Sequence, residues 1–169
     1  MNRKIDPDSF GFLVTDVARL IRSEMDRRIG EAGLGLTPSE SRTLSHAARA
    51  GTVRQNVLAE RMGVEAMTLS ASLDRLEARG LIERLADPTD RRAKLARLTE
   101  AAGEALDRIA PLSAALRADA SAGIDPQDWA RMLDTLKAVR ANLTATKSES
   151  ARLESSAAWT CNLSPSRRP

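Results

Sequence analysis

Between residues 55 and 99 the chain sets two helical patterns against a short hairpin, and few architectures accommodate that order. A short helical pattern over 55–62 breaks at Gly63, and a longer one over 64–79 ends at Gly80. A run over 81–85, a polar turn from Asp87 to Arg92 and a return run over 93–98 follow. Gly63 suits a tight helix crossing because glycine adopts φ > 0 without strain, and Ala59, one turn earlier, is small enough for close approach. On the longer helix Leu69, Leu73 and Leu76 form one apolar stripe. Thr68, Ser70 and Ser72 lie off it, and Met67, Ala71 and Asp74 point nearly opposite. One packed face and one free face is what a helix that enters a DNA major groove requires.

The hairpin turns this pattern into a winged helix-turn-helix. Its two runs are joined by Asp-Pro turn chemistry. Five basic residues (Arg84, Arg91, Arg92, Lys94 and Arg97) face only Asp87 and Asp90 there. Cations gathered on a hairpin beside such a helix form a footprint for phosphates and the minor groove.

Several local runs resemble the MarR family of bacterial transcriptional regulators. They are Ala59-x-x-x-Gly63, Leu76-Glu77-x-x-Gly80-Leu81-Ile82-x-Arg84, Asp87-Pro88-x-Asp90-Arg91-Arg92-Ala93-Lys94, and Leu98-Thr99-x-x-x-Gly103. The resemblance spans roughly residues 8–143, and the wing is its most specific part. It implies a homodimer that binds a pseudo-palindromic operator in double-stranded DNA as a repressor, with a small-molecule effector that releases it. It also implies that Arg92 enters the minor groove while Asp90 braces its guanidinium. Many relatives carry Ser-Arg in the middle of the recognition helix where this chain has Ser70-Ala71, a departure that bears on the operator sequence rather than on DNA binding.

The DNA-contacting set follows from both lines of reasoning. Gln55 and Asn56, at the start of the shorter helix, can donate to phosphates; Thr68 and Ser70 are placed for base edges; Arg75 can reach either backbone or base. Asp90, Arg91, Arg92 and Lys94 complete the set on the wing.

Elsewhere the chain reads as support. Asp6-Pro7 marks a helix start, and Phe10, Leu13, Val17, Leu20, Ile21 and Ile29 recur at helical spacing, more apolar surface than a small winged domain can cover. Thr37-Pro38-Ser39-Glu40 is a capping box. Thr99 is placed to cap a helix with Leu106, Ile109, Leu112 and Leu116 on one face, Pro111 predicts a kink in it, and Gly123 ends it. Asp125-Pro126 opens a last helix with Trp129, Met132, Leu133, Leu136, Val139 and Leu143 at core spacing. Trp129 serves there as an apolar anchor or as a stacking surface for a ligand. The fold is therefore mainly α with a small β-wing: one domain over 8–145, the winged helix-turn-helix over 37–98, and dimerisation helices over 8–30 and 99–145. Residues 147–169, rich in Ser, Ala, Pro and Arg, read as a disordered tail that includes Cys161.

Composition narrows the function classes. Aromatic residues make up 2% of the 169-residue chain, so its core is aliphatic. A single histidine, His46, and a single cysteine, without paired carboxylates or a phosphate-cradling glycine loop, argue against an enzyme, a metal site and a cofactor. The start lacks the apolar core of a signal peptide and no stretch suits a membrane span, so a cytoplasmic location is expected. The other reading these residues allow is a winged-helix module for protein contact, from which the basic wing tip separates the DNA-binding one.

Overall fold

The computed structural model describes residues 5–161. Six helices and a small sheet follow in the order α1 (Phe10–Glu31), α2 (Pro38–Ala50), β1 (Val53–Arg54), α3 (Gln55–Met62), α4 (Ala66–Ala78), β2 (Ile82–Ala86), β3 (Lys94–Leu98), α5 (Ala102–Ala120) and α6 (Pro126–Cys161). This is a winged helix-turn-helix with flanking helices. The chain divides into two compact units, one up to Ala120 and the other from Ser121. No helix among the described residues is long and apolar enough to cross a membrane.

The first unit is organised by an aliphatic core. Leu44 of α2, Leu58 of α3, Leu69, Leu73 and Leu76 of α4, and Ile82 of β2 are fully buried, with Ala47, Ala59 and Ala96 filling the close approaches between them. Truncating one of these leucines to alanine costs about 2–5 kcal/mol, because a core of this kind closes a cavity only in part. Gly63 has φ 63°, and the Val64 N–H reaches the Ala59 carbonyl at 3.1 Å, so the turn between α3 and α4 depends on a left-handed residue. The capping box of α2 is complete: the Glu40 N–H donates to Thr37 Oγ1 at 3.2 Å, and the Thr37 N–H donates back to Glu40 Oε2 at 2.9 Å.

The sheet has an additional strand. β1 pairs antiparallel with β3, and β2 pairs antiparallel with β3 on its other edge, in the order β1-β3-β2. Two residues are too few for a periodic signal, so β1 is invisible in the sequence. Its consequence is that Arg54, the last residue before α3, sits in the wing sheet.

Several expectations need correction. α1 starts at Phe10, because Asp6 Oδ1 accepts the Asp8 N–H in a local turn and Ser9 takes the N-cap position. Thr99 does not cap α5; its hydroxyl donates to the Gly80 carbonyl at 2.6 Å, and the helix begins at Ala102. α5 ends at Ala120, ahead of Gly123. Ser72 lies on the packed face of α4, where its hydroxyl shares a 2.9 Å hydrogen bond with Ser39. Composition predicts an irregular segment from Lys147, yet α6 runs on to Cys161. Ala151, Leu153, Glu154, Ala157 and Ala158 favour that continuation, and no glycine or proline interrupts it. Residues 162–169 of the expected tail lie outside the described residues. At the other end of α6 the Asp125-Pro126 start holds: Asp125 Oδ1 accepts the Gln127 N–H at 2.8 Å.

Candidate nucleic-acid interface

An open cleft of about 520 Å³ lies between the starts of α3 and α4 and the wing. Arg54, Gln55, Asn56, Ala66, Met67, Ser70, Asp90, Arg92, Ala93 and Lys94 line it. Six residues proposed from sequence (Gln55, Asn56, Ser70, Asp90, Arg92 and Lys94) thus converge on one surface. Neither α3 nor α4 has a side-chain cap at its N-terminus. Apart from the Val57 N–H, which donates to Asn56 Oδ1 at 2.9 Å, their first backbone N–H groups lack the partner a cap would supply, an arrangement that suits anionic oxygens. Thr68 is exposed on the first turn of α4 beside the cleft residues, and Arg91 is exposed on the wing.

The wing sorts its cations into two groups. Arg84 pairs with Asp74 at 2.7 Å and also donates to the Ser70 carbonyl at 3.1 Å, which ties β2 to α4. Arg97 pairs with Glu83 across the hairpin at 2.7 Å. Arg91, Arg92 and Lys94, by contrast, are exposed, and among the described residues none has a side-chain hydrogen bond or ion pair. The structural cations hold the wing, and the free ones face outward.

The turn is organised by Asp87, which is buried in contrast to its exposed neighbours Pro88, Thr89 and Asp90. Its Oδ2 accepts Arg54 Nε at 2.5 Å, while Oδ1 accepts the Thr89 N–H and Thr89 Oγ1 at 2.7 Å each and the Asp90 N–H at 3.2 Å. Arg54 Nη2 donates to Thr89 Oγ1 at 2.9 Å, which closes the circuit. The Arg54 guanidinium, followed by the Thr89 donors, holds the Asp87 carboxyl far below the usual carboxylate range. Asp90 accepts the backbone N–H of Arg92 at 2.9 Å rather than its guanidinium, so the expected brace acts on the main chain and leaves the Arg92 side chain free.

Arg75 has a different setting from the one expected of a DNA contact. Its Nε donates at 2.7 Å to Oε1 of Glu40, a buried carboxylate, and it lies outside the cleft lining. Burial opposes the charged form of Glu40, but hydrogen bonds from Thr37 and Arg75 outweigh it and hold the carboxyl below its ordinary value. Arg75 thus joins α4 to the start of α2.

Sequence reasoning missed Arg54, the bracing role of Asp87, and Met67. The Asp-Pro turn signal marks Asp87, but no spacing rule links it to a residue 33 positions earlier. Met67 is 85% exposed in the cleft, and its place opposite the leucine stripe was the available clue.

Comparison with known proteins bears on this surface directly. A family model described as MarR family matches residues 34–93, which include α2, the helix-turn-helix and the wing turn. The crystal structure of the transcriptional regulator PA3341 is 38% identical, covers 81% of this chain and 99% of its own, and superposes with a TM-score of 0.67. A MarR family regulator from Rhodococcus sp. RHA1 is 28% identical, with 80% of this chain and 95% of that one covered and a TM-score of 0.67. An uncharacterised HTH-type regulator of Bacillus subtilis, YkoM, is 29% identical over 103 residues, 61% of this chain and 67% of that protein.

Proposed function

The chain belongs to the MarR family of transcriptional regulators, and on that premise we propose that it is a homodimeric repressor of a pseudo-palindromic operator. The observation that carries this reading is the convergence of Gln55, Asn56, Ser70, Arg92 and Lys94 on one cleft, with the wing-tip cations unpaired. Each protomer places α4 in a major groove, and the two copies sit one helical turn apart, about 34–36 Å. The uncapped start of α3, with Gln55 and Asn56, takes phosphates. Arg92 reaches the flanking minor groove, and Arg91 and Lys94 hold the backbone on either side of it. Thr68 and Ser70 meet base edges, with Asp90 holding the turn from which Arg92 projects.

The partner for dimerisation is a second copy of the chain. Phe10, Phe12, Leu13, Val14, Val17, Leu20 and Ile21 of α1 are all exposed, as are Met132, Leu133, Leu136 and Leu143 of α6. Apolar surface on that scale marks each of these helices, taken by itself, as a place of association. A small molecule that favours one spacing of the two reading heads would then release or retain DNA, the behaviour many relatives show.

Selection of duplexes from a randomised pool with the full chain tests the proposal. The reading predicts enrichment of an inverted repeat with half-sites about 10–10.5 bp apart. A pool that stays unenriched at low salt contradicts it.

A further inference from the structure

The strip of α4 directly opposite its buried leucines carries little hydrogen-bonding capacity, in contrast to Thr68 and Ser70 at its flank. Met67, Ala71 and Asp74 lie opposite the buried Leu69, Leu73 and Leu76, and Asp74 is engaged by Arg84 at 2.7 Å. That leaves Met67 as the most prominent group, at 85% exposure the barest of the large apolar side chains described. It sits in the cleft beside Ser70 and Arg92, so it lies within the surface argued to meet DNA. A long apolar side chain held there is out of place in water, and nothing in the fold uses it.

Base edges in the major groove offer donors, acceptors and one apolar feature, the C5-methyl of thymine. A thioether can neither accept strongly from a base amine nor donate to a carbonyl, so the methyl is the feature it reads. Methionine is also unbranched and adaptable, which lets it follow a methyl across the groove floor. We infer that Met67 is a specificity-determining residue that packs on a thymine methyl in each operator half-site, with Ala71 leaving room for the approach.

This inference rests on the operator-binding reading above, and the test separates the two. The probe is the duplex enriched from the randomised pool by the full chain, with each thymine replaced singly by deoxyuridine, which removes only the methyl. Burial of one methyl sets the expected loss at about three- to fivefold for a single half-site. The proposal predicts that loss at one symmetric pair of thymines and near-unchanged binding at the others. Met67→Ala and Met67→Gln, substitutions at an exposed position, keep the wild-type circular dichroism and no longer distinguish thymine from deoxyuridine at that pair. Uniform tolerance of deoxyuridine, or a Met67→Ala protein with the wild-type preference intact, overturns the inference while leaving operator binding standing. Failure to enrich any duplex overturns both.

Discussion

Arg54 donates its Nε to Oδ2 of Asp87 at 2.5 Å, so the residue that precedes α3 anchors the turn of the wing. The two sides of the cleft are thereby one mechanical unit: a helix start on one side and the Arg92 loop on the other, joined by a pair that also recruits Thr89. Arg54→Ala and Asp87→Ala should each weaken DNA binding by roughly tenfold, and the double substitution should add little, because each change breaks the same circuit. Anisotropy titrations of the three variants check this. Additive losses would contradict it.

Glu40 and Arg75 predict a stability effect rather than a change in base preference. Glu40→Ala removes both the capping box of α2 and the partner of Arg75, and should cost about 1–3 kcal/mol in urea unfolding. Because the folded carboxyl titrates below the unfolded one, its contribution is present above the unfolded value near 4.5 and is lost as pH falls through the folded value. Arg75→Ala should lower stability and leave the selected DNA sequence unchanged. A shifted base preference in that variant would place Arg75 on DNA after all.

The exposed stripe of α1 predicts that assembly depends on it. Val17→Asp combined with Leu20→Asp should turn a dimer into a folded monomer by light scattering, with unchanged helix content, since both side chains face solvent in the single chain. A wild-type chain that runs as a monomer at micromolar concentration would contradict the account.

His46 makes stability sensitive to mild acid. Burial first, and then the charges of Arg49, Arg42 and Arg22, push its pKa below the usual 6.5. The unfolded chain therefore binds the proton more readily, so this contribution is complete above 6.5 and is lost as pH falls through the folded value. Thermal melts should show a decrease in Tm from pH 7.5 to 5.5 that is smaller in His46→Gln. Equal decreases in the two proteins would contradict the assignment.

Much of the winged core is legible from local chemistry. Gly63, the leucine stripe of α4, the Thr37–Glu40 box and the Asp-Pro turn each state their structure within a few residues, and each stands where it was expected. What eludes the sequence is nonlocal or competitive. β1 is too short to carry a period, and the Arg54–Asp87 and Arg75–Glu40 pairs join residues more than thirty positions apart. Thr99 has cap chemistry but is taken by the Gly80 carbonyl, and Asp6 turns its side chain to Asp8 before α1 begins. Met67 is placed on the free face of α4 by its spacing, but as a DNA contact it is not legible, because base readout is usually carried by hydrogen-bonding side chains.

The most direct measurement is fluorescence anisotropy of the full chain and its Arg92→Ala variant on the DNA upstream of its own gene, beside a scrambled duplex, from 50 to 200 mM salt. The account predicts a clear preference for the native fragment and, for about eight neutralised phosphates, a decline of about 10³–10⁵ in affinity across that range. Arg92→Ala should lose at least about tenfold on the native fragment and show a shallower salt slope. Equal binding to both duplexes, or an unaltered Arg92→Ala protein, would contradict sequence-specific recognition through the wing.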